Sequence, residues 1–189
     1  YGDTLVEPEA LLPSNRACLR LPGIDGKAKM SKSLHNCIYL SDTASDVEAK
    51  VMGMYTDPQH LRVSDPGRVE GNPVFTCLDA FCREEHLPRL LPGYASLEEV
   101  KAHYRRGGLG DVKVKRLLNA VLQEELEPIR SRRREWEGRI GEIGALLHRG
   151  SQKAQATAAS TLQEVMAAMG LDYFGDGQWL EEQAAKYAL

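Results

Sequence analysis

The stretch KMSKS at residues 29–33 lies between Gly26 and Asn36, two residue types that favour turns. Its two lysines, three positions apart, can present ammonium groups to a polyphosphate, and its serines add hydroxyl and backbone N–H donors. Phosphoryl and nucleotidyl transfer depends mainly on stabilising charge that builds on oxygens, and a mobile loop can close over that charge. Lysines at this spacing are also common on solvated turns, so residues 29–33, called the lysine loop below, fit either role.

The segments on either side of the lysine loop are short. Residues 1–18 form an irregular lead-in, since Pro8 and Pro13 interrupt them. Residues 17–21 are predicted to be extended, and residues 37–40 are predicted to be the next extended or buried segment. Pieces of this length cannot bury a sheet between them, so they are typical of the edge of a larger α/β domain.

Beyond these pieces the apolar residues recur at helical spacing. The first helix is expected to begin at a capping box formed by Ser45 and Glu48. It is expected to end at residues 56–58, where a loop over residues 57–73 begins. Pro73 is expected to open the second helix, because proline is tolerated in a first helical turn.

Further helices are predicted after a linker that ends near residue 93. The longest follows Gly110 and carries an apolar stripe, which Pro128 is expected to kink or break. Gly150 and Gly170 are expected to end the next two helices. The predicted segments are 96–104, with Ser96 and Glu99 at capping-box spacing, 114–129, 136–150, 151–169 and a weaker one at 178–188.

Length and charge restrict the kinds of protein. A chain of 189 residues can hold one full core or two small domains. The net charge of -3 argues against a generally basic nucleic-acid coat, so any RNA contact must come from a local patch and no DNA partner is expected. No apolar run approaches the ~20 residues of a membrane helix. No signal peptide opens the chain. We therefore expect a cytoplasmic protein with no membrane partner. The absence of an initiator Met at Tyr1 suggests a fragment, a processed product or a chain whose earlier part is missing.

Four cysteines do not make a disulfide scaffold in a chain of this size. Cys77, Cys82 and His86 recur at short spacing, which could suggest a metal site. A structural zinc site needs four ligands, and no second Cys/His pair lies nearby. We expect these three residues to lie on one helix as buried or partly exposed side chains, and no metal site is predicted.

The complete pentapeptide resembles the second signature motif of class I aminoacyl-tRNA synthetases, and residues 21–26 and 34–36 resemble the flanks found in bacterial tryptophanyl-tRNA synthetases. Further segments with this resemblance are 39–42, 54–58, 65–67, 70–75, 126–130 and 153–154. The resemblance implies a mainly α chain. Its parts would be the C-terminal edge of a Rossmann-like α/β catalytic domain over residues 1–40, an all-helical anticodon-binding domain over residues 41–170 and a tail over residues 171–189.

The same resemblance assigns roles to individual residues. Lys29 and Lys32 would be the catalytic pair that contacts the phosphates and stabilises the pyrophosphate leaving group. A residue on the preceding strand would touch the nucleotide through its main chain, and Leu19 is the nearest match. The ATP-binding residues implied in this way are Leu19, Lys29, Met30, Ser31, Lys32 and Ser33.

The activity implied by the resemblance is that of a tryptophan–tRNA ligase. Such an enzyme joins ATP and L-tryptophan into tryptophanyl-adenylate, releases pyrophosphate and transfers the tryptophan to tRNA(Trp). Mg²⁺ is implied by the phosphate chemistry, and a homodimer is expected for the intact enzyme. A tyrosyl or other class I synthetase remains an alternative, as does a non-catalytic fragment that binds tRNA or another partner.

The sequence departs from the family pattern in two places. It contains no H-x-G-H tetrapeptide, so that motif and the amino-acid pocket are expected to lie in a half of the enzyme that is absent here. His35 stands where relatives often have glycine, which is expected to limit positive-φ conformations after the lysine loop.

Basic residues in the helical part could form a phosphate-tracking stripe for RNA. They could equally belong to a solvated helix face that is interleaved with glutamates. The residues concerned are Arg105, Arg106, Lys113, Lys115, Arg116, Arg130, Arg132, Arg133 and Arg134.

Overall fold

The computed structural model describes residues 1–171 and 177–188, and the regular structure within these ranges is helical. Short 3₁₀ helices occur at Arg16–Leu19 and Glu84–His86. The α-helices are α1 (Ala44–Met52), α2 (Pro73–Phe81), α3 (Leu87–Leu90), α4 (Leu97–Arg106), α5 (Asp111–Glu137), α6 (Ile140–Ala168) and α7 (Gly177–Lys186). Among the described residues the only β-type pairing is an isolated antiparallel bridge between Pro22 and Lys29.

The chain forms two compact units. Residues Leu12–Glu135 make up one of them, and the other consists of Tyr1–Leu11 together with Trp136–Leu189. These units describe packing alone, and the predicted division of function at residues 40 and 170 stays a prediction.

The core of the Leu12–Glu135 unit is built from helix faces that the apolar spacing predicts. Its members come mainly from α1, α2, α4 and α5, and full burial of each large side chain contributes about 1.5–3 kcal/mol. On α5 the predicted stripe is buried from its start to Leu126, namely Val114, Leu117, Leu118, Val121, Leu122 and Leu126. The prediction of a core face is confirmed for these residues, but it is wrong for Ile129 at the end of the stripe, which is 41% exposed.

Tyr104 connects α4 to the loop before α2 and to the start of α5. Its ring is fully buried against Phe75, with ring centroids 4.8 Å apart. Its hydroxyl donates to Asp111 Oδ1 at 2.6 Å, and its carbonyl accepts from the N–H of Gly67 at 2.9 Å. A Cβ on Gly67 would lie 2.3 Å from the Tyr104 ring, so this close approach requires glycine.

Several predicted boundaries in the first half of the chain are wrong. Residues 16–19 form a 3₁₀ helix where the extended segment 17–21 was expected, because the Asn15 side chain accepts from the N–H of Ala17 and starts a helical turn. The linker that was predicted after residues 87–88 and up to about residue 93 is partly helical, because α3 extends to Leu90. Its first turn contains Pro88, a position that proline tolerates.

The capping box of α1 is formed by Thr43 and Asp46, in place of the predicted Ser45 and Glu48. Thr43 Oγ1 accepts from the N–H of Asp46 at 3.2 Å, and Asp46 Oδ2 accepts from the N–H of Thr43 at 3.1 Å. Aspartate thus occupies the N3 position at which glutamate or glutamine is usual in this motif. For α2 the start at Pro73 is confirmed, with the Asn72 side chain as its cap.

Neither Pro128 nor Gly150 ends a helix, so the breaks predicted at these residues do not occur, and a kink at Pro128 stays a prediction. Helix α5 runs through Pro128, and α6 runs through Gly150 as one helix of 29 residues where two were predicted. At Gly170 the prediction is confirmed. This residue has φ of 68°, and the bonds from Gly170 N–H to Ala167 O and from Leu171 N–H to Met166 O complete a Schellman motif. Helix α7 confirms the weaker tail helix, and residues 172–176 of the predicted tail lie outside the described residues.

The prediction that Cys77, Cys82 and His86 lie on one helix is wrong. Helix α2 ends at Phe81, Cys82 is its C-terminal cap, and His86 lies in the following 3₁₀ helix. Cys77 is buried, and burial raises the pKa of its thiol to about 12. Within the described part of the chain, no group of three or more His, Cys, Asp or Glu side chains could hold a metal ion.

Candidate functional site

The backbone that leads into the lysine loop folds back on itself. Gly23 N–H donates to Ala28 O at 2.7 Å, and Met30 N–H donates to Leu21 O at 3.2 Å. Gly26 has φ of 68° at the tip of this turn, a conformation that glycine adopts without strain. The lysine loop therefore starts from a closed turn and not from a free strand end.

A buried carboxamide lies beneath the lysine loop. Asn36 is only 3% exposed. Its Oδ1 accepts from the N–H of Ser31 at 2.8 Å. Its Nδ2 donates to Lys29 O at 3.3 Å and to Asp25 Oδ1 at 3.2 Å. One side chain thus joins the turn before the loop to two of the loop's own residues.

Asp25 is the charged partner in this arrangement. Burial on its own raises the pKa of the Asp25 carboxyl. Hydrogen bonds from the Lys27 and Ala28 N–H groups and from the Asn36 amide lower it, and together they hold the pKa below its ordinary value. The carboxylate is therefore ionised at neutral pH and available as a constant acceptor for Asn36.

The outer part of the lysine loop is exposed and locally bonded. Leu34 N–H donates to Ser31 O at 3.3 Å, and His35 N–H donates to Lys32 O at 3.2 Å. His35 has φ of 51°, so the expected restriction against positive φ does not hold at this residue. Histidine is one of the residue types that is enriched in this left-handed region.

The cationic side chains of the loop point outward. Lys29 and Lys32 are exposed, and neither ammonium group has a carboxylate partner among the described residues. The Ser31 and Ser33 hydroxyls are hydrogen-bonded to each other at 2.9 Å. An unpaired cation on an ordered backbone attracts a polyphosphate more strongly than a lysine that is already paired.

A cavity of about 500 Å³ lies beside the lysine loop. Its lining includes three loop residues, the segment before α1 and Arg133 of α5. Lys32 and Arg133 thus put two cationic side chains on one cavity. A second cavity of about 260 Å³ is mainly apolar and is also lined by Met30, together with Leu126 and Phe81. Met30 therefore reaches the apolar surface while its neighbours stay polar.

The structure brings together five of the six predicted nucleotide-binding residues, those of the lysine loop itself. Leu19 is not joined to them by any hydrogen bond in the described residues, since it lies in the 3₁₀ helix, which packs against α2. The main chain that pairs with the loop belongs to Leu21 and Pro22. Sequence reasoning did not single out Asn36 or Arg133 as part of the site, because their positions depend on the folded turn and on α5.

The predicted basic stripe divides into paired and unpaired residues. Arg105 pairs with Glu70, and Lys115 is buried with its ammonium group donating to the carbonyls of Met52 and Met54. Arg130 and Arg134 both pair with Glu127. Arg106, Lys113, Arg116 and Arg132 remain exposed, without an acidic partner in the described residues.

Comparisons with known proteins show which proteins this chain is similar to. A family described as "tRNA synthetases class I (W and Y)" matches residues 2–127. The tryptophan–tRNA ligase of Clostridium longisporum is 55% identical over 177 residues, which cover 93% of this chain and 49% of that protein. The corresponding ligase of Streptococcus pyogenes serotype M3 is 55% identical over 174 residues, which cover 92% and 49%.

A solved structure shares the fold. Tryptophanyl-tRNA synthetase from Campylobacter jejuni, complexed with ADP and tryptophan, superposes with a TM-score of 0.62 at 24% identity and covers 80% of this chain and 44% of that one. The chain spans about half the length of the curated relatives it matches. No helix in the described ranges is long and apolar enough to cross a membrane. Because the family match extends over more than half of the chain, the chain belongs to the class I tRNA synthetases of the tryptophan and tyrosine group.

Proposed function

We propose that this chain is the C-terminal part of a tryptophan–tRNA ligase. In the reaction, a carboxylate oxygen of L-tryptophan attacks the α-phosphorus of ATP and forms a new P–O bond. The bond from the α-phosphorus to the bridging oxygen breaks, and its electron pair leaves with pyrophosphate. A hydroxyl oxygen of tRNA(Trp) then attacks the carbonyl carbon of the tryptophanyl group and forms an ester bond, while the bond from that carbon to the phosphate oxygen breaks and AMP leaves. The identity to curated tryptophan–tRNA ligases supports tryptophan over tyrosine as the amino acid.

The observation that carries this proposal is the pair of exposed lysines, without carboxylate partners in the described residues, on a loop beside a cavity. Negative charge grows on the leaving pyrophosphate as the bond breaks, and cations that face it lower the barrier. Lys29 and Lys32 supply two such charges. The N–H of Ser31 is already used by Asn36, so the serines contribute their hydroxyl groups.

The participation of Mg²⁺ in the reaction has less support in this chain than the role of the lysines. No cluster of carboxylate, imidazole or thiolate ligands for a metal occurs in the described residues. Mg²⁺ therefore rests on the family resemblance alone, and no step here depends on it.

The remaining parts of the proposal concern domains and partners. Residues 1–40 would be the edge of the Rossmann-like catalytic domain, and residues 41–170 would be the helical domain that contacts the anticodon region of tRNA. The four exposed, unpaired basic residues named above support contact with RNA phosphates. The proposal also includes a homodimer. It includes a cytoplasmic location, because tRNA is charged where translation occurs.

The test is ATP–pyrophosphate exchange, measured in a protein of the relatives' full length that contains this chain. We expect K29A and K32A each to lower the exchange rate by about 10²–10³-fold, the range for loss of one charge-stabilising group. Tryptophan binding should change far less, because neither lysine is expected to contact the amino acid.

K27A is the matched control. Lys27 is also exposed and lies two residues before the loop, outside the pentapeptide whose lysines are proposed to contact the phosphates. Exchange that is unchanged in both K29A and K32A would contradict the proposed role of the loop. Exchange that is faster with tyrosine than with tryptophan would contradict the proposed amino acid.

A further inference from the structure

We infer that Asn36 is a positioning residue for the proposed adenylate-forming reaction. It acts through the backbone of Lys29 and Ser31 and does not itself touch the substrate. This inference rests on the proposed function of the lysine loop and names the group that sets its geometry.

The Asn36 side chain uses both of its polar atoms in hydrogen bonds. A carboxamide has two donor hydrogens and one acceptor oxygen. In this structure both donors and the acceptor have partners, at Asp25 Oδ1, Lys29 O and Ser31 N–H. The group is almost completely buried, so water cannot take over these bonds without a local opening.

The backbone around Asn36 leaves room for this side chain. A Cβ on Gly23 would lie 2.2 Å from Asn36 Nδ2, so the amide fits only because residue 23 has no side chain. The Asn36 carbonyl also accepts from the N–H of Ile24 at 2.9 Å, and Ile24 O accepts from the N–H of Tyr55 at 2.8 Å. These bonds attach the amide to the chain segment that follows α1.

Asn36 bonds to the backbone of only one part of the lysine loop. Residues 29 and 31 are bonded to it through their main chains, whereas Lys32, Ser33 and Leu34 are exposed and bonded only to loop neighbours. Lys29 thus starts from a fixed backbone, while Lys32 lies on the part that can move. An enzyme that closes a loop over a leaving group needs both a fixed point and a moving one.

The main test is N36A in ATP–pyrophosphate exchange, in a protein of the relatives' full length that contains this chain. We expect kcat to fall about 10²-fold, the usual effect of a misplacement of about 1 Å. The KM for tryptophan should stay within about twofold. Equal losses in kcat and in tryptophan binding would indicate a general structural defect and would overturn the inference.

Exchanging the carboxylate and the amide between positions 25 and 36 gives a second test, which does not depend on whether N36A folds. In N36D the new carboxylate can still accept from Ser31 N–H, but it faces the ionised Asp25 across a 3.2 Å contact, and like charges at this distance repel. In D25N/N36D an amide faces a carboxylate again. We expect N36D to lose activity as N36A does and D25N/N36D to recover at least tenfold. A double variant no more active than N36D would overturn the inference.

The 189-residue chain itself separates this inference from the proposed function. Amide hydrogen exchange at Ser31 reports the bond to Asn36 without any enzymatic activity. If the wild-type enzyme catalyses no exchange of pyrophosphate, the proposed function fails. If wild type is active and K29A is not, but N36A matches wild type, then only the positioning role fails.

Discussion

Replacing Gly23 by alanine tests the geometry of the site by adding a single methyl group. The φ of Gly23 is not positive, so alanine meets no backbone strain there, and any effect must come from contacts. The added Cβ would lie 2.2 Å from Asn36 Nδ2 and 2.6 Å from Asn36 Cγ. Non-bonded heavy atoms prefer separations of about 3.5–4.0 Å, so the carboxamide has to move away.

The size of the effect follows from the bonds that this movement breaks. Asn36 makes three side-chain hydrogen bonds, to Asp25, Lys29 and Ser31. Each contributes about 0.5–1.5 kcal/mol in net terms, so their loss should destabilise the closed loop by roughly 1.5–4.5 kcal/mol. Since about 1.4 kcal/mol corresponds to a factor of ten, local opening should become roughly 10- to 1,000-fold more frequent.

The assay is amide hydrogen exchange, measured by NMR on the 189-residue chain. The amides of Ser31 and Ile24 should exchange faster in G23A by the factor given above, because both donate to Asn36. Amides in the core of α5 should change much less, because loops open without global unfolding. G144A is the matched control, since a Cβ at that position has no described atom within 4 Å. Unchanged Ser31 exchange in G23A, or equal acceleration in G144A, would refute the reasoning.

Two further predictions concern stability, and urea unfolding checks both. Y104F should lower the free energy of unfolding by about 1.5–3 kcal/mol, the range for a hydrogen bond to a charged group, because it removes the bond to Asp111. Burial first, and then the bond to Asp111 and its charge, raise the pKa of Tyr104 above its ordinary value of 10.0. The difference in free energy of unfolding between wild type and Y104F should therefore be complete below pH 10 and should shrink above it, when the tyrosine of the unfolded chain ionises. A difference that is constant with pH would contradict this account. G150A should stabilise α6 by about 0.5–1 kcal/mol, because Gly150 lies inside the helix and a Cβ there meets no described atom; a loss of helicity by circular dichroism would contradict it.

Two parts of the fold that were predicted correctly, the α5 stripe and the start of α2, have signals to which more than one residue contributes. The stripe on α5 repeats an apolar residue every three or four positions over several turns, so no single exception can hide it. The start of α2 is similarly marked by two neighbouring residues, Asn72 and Pro73, which both favour a helix N-terminus.

The errors come from single residues whose effect depends on contacts elsewhere. Pro128 removes one N–H donor, but Arg130 bonds to Gln123 at 2.6 Å and to Glu127 at 3.0 Å, and so ties the turns on both sides of the proline together. The helix therefore continues across a residue that would end it in isolation. Gly150 only weakens helix propensity, by about 1 kcal/mol. The long segments before and after it therefore form one helix, α6.

The candidate site shows the same distinction between contiguous and distant signals. The lysine loop could be found because its five residues are consecutive and chemically unusual as a group. Asn36 could not be identified as its support, because asparagine near a glycine-rich turn ordinarily indicates another turn. Its burial depends on the missing Cβ of Gly23, thirteen positions earlier, and on a fold-back that joins Leu21 to Met30.

This arrangement also answers a physical objection to the lysine loop as a catalytic element. Two exposed lysines on a flexible turn would lose much of their attraction for phosphate to side-chain and backbone ordering, at about 1–2 kcal/mol for each backbone residue fixed. Here the backbone on both sides of Met30 is ordered before any ligand arrives, by bonds from Asn36 to Lys29 and Ser31. Only the outer residues, with Lys32 among them, still have to be ordered when charge appears. A loop that is half fixed can thus bind its transition state more tightly than a free one, without holding the pyrophosphate product through every contact.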